Sequence, residues 1–227
     1  MFRKRKKIDY LASLPAAITP DSTVIAFDLH NVVFKKQMRK IVMHSIKLLP
    51  KGTWRYTFNP RVWYRLYKIR RFSQVAEDVF IKMEGHYPGL QKFRGDFITM
   101  TNHQRPMRSM FDLIQSLKAQ GFSLFILSNI GEETFTKLCA HYPLLKDSFE
   151  GAFTARSDNS YVHKPHPEFY ESFKKFVVDH GHEGKHILFV DDLKKNIVAA
   201  AQCSIASIHF TSPKQLIRTF KKLAILQ

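Results

Sequence analysis

Apolar residues along this chain fall into two kinds of pattern. Short uninterrupted runs, Val24-Ile-Ala-Phe27, Leu124-Phe-Ile-Leu127 and Ile187-Leu-Phe-Val190, are rich in β-branched and aromatic residues and carry no polar alternation. Such runs mark strands covered on both faces, as in a parallel sheet. Ser207 to Phe210 reads as a last strand. Between the runs the period becomes helical. Met110, Leu113, Ile114 and Leu117 share one face, with Gly121 placed as a C-terminal cap. Phe169, Phe173, Phe176 and Val177 make a second face, Asn196 to Cys203 is an Ala-rich helix, and Lys214 to Leu226 a closing one. Strands alternating with helices predict an α/β fold, a doubly wound parallel sheet with right-handed crossovers.

Residues from about 35 to 105 break this rhythm. Met38, Ile41, Val42, Ile46 and Leu49 keep helical spacing, as do Val62, Leu66 and Ile69, and little here reads as a core strand. The expected organisation is a core of residues 1–34 and 106–227 with an inserted helical cap over 35–105. At 227 residues, with 44% hydrophobic residues and 20 Phe, the chain can fill such a core. Cys139 and Cys203 lie in apolar helical stretches and read as buried reduced thiols. The basic start, Met1 to Lys7, leads into Asp9 and Pro15 rather than an apolar run, so it is not read as a signal peptide. No stretch approaches the roughly 18 apolar residues of a membrane span. The expected location is cytoplasmic, with peripheral membrane attachment left open by the charge.

That charge is +17 and unevenly placed. Lys35 to Arg71 holds twelve Lys and Arg and no acidic residue, and residues 3–7 add five more; the remaining 19 basic residues match the 19 acidic ones. An excess confined to two segments points to an anionic partner.

In an open α/β sheet, ligands bind beyond the carboxyl ends of the strands. Three predicted strand ends deliver Asp28, Ser128-Asn129 and Asp191-Asp192, and Lys164-Pro165 precedes a helix. Taken singly, each has a plain structural explanation, as a turn residue, a helix cap or a solvated lysine. Together they place carboxylates, a hydroxyl and an ammonium at one rim.

Phe27-Asp-Leu-His-Asn-Val-Val33, Leu127-Ser-Asn129, His163-Lys-Pro165 and Phe189-Val-Asp-Asp-Leu-Lys-Lys-Asn196 resemble, in order, the four motifs of the haloacid dehalogenase superfamily. Asp-Leu-x-Asn-Val and Lys-Pro-x-Pro-Glu are most like the subfamily with a helical cap after the first motif, the bacterial sugar-phosphate phosphatases among them. The resemblance implies a phosphatase in which Asp28 attacks phosphorus and forms an aspartyl-phosphate. It implies Mg²⁺ held by Asp28, the backbone carbonyl of His30 and Asp192, with Asp191 behind them or as an alternative ligand. Lys164 would bridge Asp28 and the phosphate, while Ser128 and the backbone N–H of Asn129 would bind phosphate oxygens. The family's phosphatases usually carry an acid–base Asp two residues after the nucleophile, where this chain has His30. Imidazole can exchange protons at neutral pH, and loss of such help costs about 10²–10⁴-fold in rate. The alternative to an active phosphatase is therefore a slow or inactive relative that binds phosphate esters or an anionic membrane surface. Carbon–halogen hydrolysis fits less well, because Asp191-Asp192 suits a divalent cation.

Trp54 to Phe72 interleaves aromatics with cations. Arg61, Arg65 and Lys68 share a helical face, as do Lys36, Lys40 and Lys47. A small, strongly anionic phosphorylated substrate or an anionic membrane surface suits this segment, as does a packed helix with a solvated basic face. None of the nucleic-acid fold motifs is present, which argues against nucleic acid. His180, His182 and His186 sit in a Gly-broken stretch and read as a polar loop rather than a metal site.

Overall fold

The computed structural model describes residues 10–48 and 74–226, with Gly52, Tyr56, 59–62, Tyr64, Arg65 and Tyr67 between them. The basic residues 3–7, Leu49, Leu66, Lys68, Ile69 and most of Trp54 to Phe72 lie outside that set.

Five strands form one parallel sheet. The first, β1 (Thr23–Phe27), lies at its centre, and β2 (Phe34–Lys36) and β3 (Gln104–Pro106) make a separate antiparallel ribbon. The others are β4 (Leu124–Gly131), β5 (Gly151–Ala155), β6 (His186–Asp191) and β7 (Ala206–His209), in the spatial order β5-β4-β1-β6-β7. β1 pairs with β4 through Phe27↔Ile126 and with β6 through Phe27↔Val190. The chain builds outward to β5, then returns to the far side of β1, so β1 and β6 flank the point where the strand order reverses. Crevices at such points hold ligands.

Side chains alternate across each strand, and both faces of this sheet are apolar. Ile25, Phe27, Leu124, Ile126, Leu188 and Val190 project into one cluster with Leu113, Ile114 and Leu117 of α4 (Arg108–Ala119). Leu138 of α5 (Glu132–His141), Leu145 of α6 (Leu144–Ser148) and Leu216 and Phe220 of α9 (Pro213–Lys222) complete it. Val24, Ala26, Phe125, Leu127, Ile187 and Phe189 face the other way. They meet Phe169, Phe173 and Val177 of α7 (Pro167–Asp179) and Ala199 and Ala200 of α8 (Lys194–Gln202). Each face is covered by helices, which is why the three central strands read as unbroken apolar runs.

The ends of some elements differ from the sequence expectation. Strand β5 is an addition: Gly-Ala-Phe-Thr-Ala at the sheet edge is only partly covered and has too little apolar content to stand out. The closing helix stops at Lys222, because Ala224 adopts a left-handed φ of 54°; at its start the Ser212 hydroxyl accepts from Gln215 N–H. Gly121, at φ 89°, ends α4 as its position suggested. Cys139 and Cys203 are buried and unpaired.

Residues 35–105 leave and return through the β2–β3 ribbon, where Phe34 pairs with Pro106 and Lys36 with Gln104. Their described elements are helical: α1 (Met38–Leu48), α2 (Ala76–His86), a 3₁₀ turn (Pro88–Phe93) and α3 (Arg94–Thr101). Val62, Phe80, Met83, Leu90, Phe93, Phe97 and Ile98 form a small core of their own, with the Phe80 and Phe97 rings stacked 4.2 Å apart. No described helix is long and apolar enough to cross a membrane.

A buried carboxylate ties this lobe to the sheet. Glu77 of α2 accepts from the backbone N–H and hydroxyl of Thr134, in the first turn of α5, both at 3.2 Å, and from the Tyr161 hydroxyl at 3.3 Å. It thereby caps a helix from another part of the chain. Burial and then Glu77 push the Tyr161 hydroxyl up to about 12, so it remains a donor. Gly131 leaves the room for this contact, since a Cβ there would run into the Glu77 carboxylate. Removing the acceptor while its donors stay buried typically costs about 1–3 kcal/mol. Glu77→Ala and Gly131→Ala are each expected to destabilise the protein by about that much in urea unfolding, and the two losses should not add. Additive losses would show that Glu77 and Gly131 act independently.

Candidate active site

The carboxyl ends of β1, β4 and β6 meet at one rim. Asp28 follows β1 directly, and its N–H donates to the carbonyl of Val190 at 2.8 Å, which sets it beside Asp191 at the end of β6. From the other side Lys164 reaches in below the start of α7. Its Nζ stands 3.0 Å from Asp28 Oδ1, 2.7 Å from Asp191 Oδ2 and 2.7 Å from the carbonyl oxygen of Leu127 in β4. The three contacts tie one ammonium to three neighbouring strands.

That ammonium is almost wholly enclosed, at 1% exposure. Burial works against its charge, yet Asp191 and Asp28 together raise its pKa above the ordinary lysine value. Asn129 holds the Lys164 backbone from both sides: its side-chain N–H₂ donates to the Lys164 carbonyl and its side-chain oxygen accepts the Lys164 N–H, each at 2.8 Å. The Asn129 side chain is therefore a brace for the lysine.

Asp191 and Asp192 are adjacent in sequence and different in role. Both oxygens of Asp191 are engaged. Oδ1 accepts from Leu193 N–H and the Asn196 amide, and Oδ2 from Asn196 and Lys164. Asp192 is half-buried and accepts from the Asn31 side chain at 3.1 Å. Asn31 stands at φ 61° in the turn after Asp28, a conformation that Asn tolerates better than most residues. Oxygens of Asp28, Asp191 and Asp192 all lie within 4.8 Å of one another. Burial pushes Asp28 up to about 6 despite Lys164, and burial with Asp191 raises Asp192.

Three carboxylates face one ammonium, so the site carries negative charge beyond what Lys164 neutralises. The donors are hard oxygens, the set that Mg²⁺ prefers. The residues present fit such an ion. On the β4 side, Ser128 is wholly buried, and its Oγ has no hydrogen-bond partner among the described residues. An orphan hydroxyl beside the lysine brace suits an oxygen-rich ligand. His30 lies half-buried two residues past Asp28. Burial, then Lys36 and Lys164, holds its pKa well below the usual histidine value.

The sequence-predicted residues Asp28, His30, Ser128, Asn129, Lys164, Asp191 and Asp192 thus gather in one place. Asn31 and Asn196 were inside the quoted motifs without an assigned task. Their signals are weak: an Asn where the chain must turn, and an amide five residues after Asp191. His180, His182 and His186 do not converge. Their imidazoles contact the Phe176 carbonyl, the Glu150 carboxylate and the Ser13 carbonyl respectively.

Replacing Lys164 would leave two buried carboxylates without their cation, a change that typically costs about 3–5 kcal/mol. Lys164→Met is expected to lower stability by about that amount in urea unfolding with EDTA, and Asp191→Asn in the same chain should return part of it. A loss under about 1 kcal/mol would mean that water screens the pair.

Comparison with known proteins agrees with this geometry. Residues 23–204 match the family model of haloacid dehalogenase-like hydrolases. The sesquiterpene phosphatase AstK of Aspergillus oryzae is 28% identical over 188 residues, 82% of this chain and 88% of that one. Among solved structures, the HAD-hydrolase YfnB of Bacillus subtilis bound to magnesium superposes with a TM-score of 0.62 at 14% identity, covering 89% of this chain and 99% of that one. A variant of a HAD family enzyme from Bacteroides thetaiotaomicron, in complex with magnesium and inorganic phosphate, gives 0.56 at 18% identity, covering 84% and 94%. The two structures share the fold. With its motifs gathered at the end of a five-stranded parallel sheet, this chain belongs to the haloacid dehalogenase-like hydrolases.

Proposed function

We propose that the chain is a Mg²⁺-dependent phosphatase that hydrolyses phosphate monoesters through an aspartyl-phosphate on Asp28. The observation that carries this reading is the Asp28 carboxylate, fixed 3.0 Å from the Lys164 ammonium within the Asp28–Asp191–Asp192 cluster. The buried, unpartnered Ser128 hydroxyl adds to it. A carboxylate attacking a phosphate needs fixed positive charge beside it, and Lys164 supplies part of that charge without needing to move.

An Asp28 oxygen would form the bond to phosphorus as the ester oxygen leaves with the bonding electron pair and takes a proton from solvent water to become the alcohol. Water would then attack the aspartyl-phosphate, release inorganic phosphate and restore the carboxylate. Ser128 and the backbone N–H of Asn129 would hold phosphate oxygens. His30, as neutral imidazole, would take the proton from the attacking water, the task of the family's second Asp. Asp28, the backbone carbonyl of His30 and Asp192 would hold Mg²⁺, with Asp191 keeping Lys164 in place behind them. When bound, that ion supplies the remaining positive charge against the phosphate. Magnesium bound in the two structural relatives supports the choice of ion. We take residues 35–105 as a cap over a core of 1–34 and 106–227.

The sesquiterpene phosphatase relative favours a monoester with an apolar alcohol, and sugar phosphates are the comparison class. The test is turnover of farnesyl phosphate and a sugar-phosphate panel with Mg²⁺ and with EDTA. Asp28→Asn and EDTA should each reduce turnover to the buffer background, and equal rates in all three conditions would remove the enzyme reading. His30→Ala should lower kcat by about 10²–10⁴-fold. An unchanged rate would mean that the imidazole moves no proton, and a gain in His30→Asp would mark it as a poor substitute for the carboxylate.

A further inference from the structure

Helix α1 does not bury the stripe its spacing offers. Met38, Val42 and Ile46 recur every four residues along one side and are 58%, 52% and 50% exposed, and Met43 is 55% exposed. Leu48 alone is buried on this helix. The side bearing His44, Ser45 and Leu48 does the packing: the Ser45 hydroxyl contacts Met100 Sδ at 3.1 Å, and His44 Nδ1 lies 2.8 Å from His103 Nε2 and near Asp96. For α1, a helix packed by its apolar stripe with a solvated basic face is therefore not what forms, whereas Val62 is buried in the lobe's core with Arg61 exposed beside it.

Cations border the exposed stripe. Arg39, Lys40 and Lys47 are exposed on α1, and Lys35 and Lys36 precede it. The helix holds no acidic residue, and none occurs between Lys35 and Arg71. The same segment also exposes Tyr64 and Tyr67, at 59% and 54%.

We propose that α1 is the docking surface of this protein for an anionic lipid membrane. The charge complements such a surface, and the flexible apolar side chains beside it match a helix lying in the headgroup region. A nucleic acid would use the cations and leave Met38, Val42 and Ile46 without a task. An acidic protein would need a groove to receive a single convex helix face. Docking goes beyond the hydrolase reading and does not depend on it. Its consequence for the enzyme is positional: α1 follows directly on β2, whose first residue Phe34 bridges His30 and accepts the Asn31 N–H at 2.6 Å. A membrane-bound α1 sets the rim of the site beside the lipid surface, where an amphiphilic phosphate ester resides.

The experiment is co-sedimentation of the full chain with vesicles of phosphatidylcholine alone and of phosphatidylcholine with phosphatidylserine. The protein should pellet with the anionic vesicles and stay in solution with the neutral ones. Met38→Ser/Val42→Ser/Ile46→Ser and, separately, Arg39→Gln/Lys47→Gln should each weaken vesicle binding by about tenfold. Circular dichroism and turnover of a small soluble ester should be unchanged in both. Equal pelleting with the two vesicle types, pelleting with neither, or loss in the charge variant without loss in the apolar one would overturn the proposal. The last result would point to a nucleic acid or acidic protein instead. Two outcomes separate the readings: Asp28→Asn should bind vesicles as the wild type does, and wild-type protein that binds anionic vesicles without turning over any ester above the Asp28→Asn background sinks the hydrolase and leaves the docking surface standing.

Discussion

One buried ion pair network organises this molecule. The Lys164 ammonium contacts Asp28 after β1, Leu127 in β4 and Asp191 at the end of β6, so a single side chain joins the three central strands where the site lies. A charge this enclosed is tolerated only when it is paired and hydrogen-bonded. The pairing is supplied in depth: Asn129 clamps the lysine backbone, and Asn196 and Leu193 N–H fix the Asp191 carboxylate. The pair sets positive charge beside the Asp28 carboxylate. It also leaves Asp192, facing Asn31, as the carboxylate less committed to neighbouring groups.

The remainder of the chain divides the work by charge and exposure. The core binds its helices to both faces of the sheet with apolar contacts and, residues 3–7 apart, carries a balanced charge. The segment from Lys35 to Arg71 carries most of the basic excess, and the lobe it belongs to has a modest core centred on Phe80 and Phe97. Glu77 joins lobe to sheet next to β4, the strand that carries Ser128 and Asn129, through a contact that requires glycine at 131. The lobe is thus joined to the sheet by a short β ribbon, by the buried Glu77 carboxylate and by the Asn102 amide, which donates to the Thr134 carbonyl at 3.1 Å.

How much of this was legible along the chain follows from the range of the forces involved. Central strands are covered on both faces, so Val24–Phe27, Leu124–Leu127 and Ile187–Val190 announce themselves as apolar runs, and the residue after each run must lie at the sheet's carboxyl edge. The order of the four motifs therefore brought Asp28, Ser128, Lys164 and Asp191-Asp192 to one rim on paper. The edge strand Gly151–Ala155 escaped notice because one side of it lacks a neighbour and its composition need not be apolar.

What the sequence by itself determined is the fold class, the strand ends and the identity of the groups gathered there, because burial periodicity and strand-to-turn chemistry are local. Only the tertiary structure decided which of two adjacent aspartates clamps the lysine, that the Asn129 side chain braces Lys164, and that Glu77 caps a distant helix. It also decided that the apolar side of α1 stays in solvent. Each of these depends on the direction in which a side chain points after segments far apart in sequence have packed, and spacing along one segment does not encode that direction.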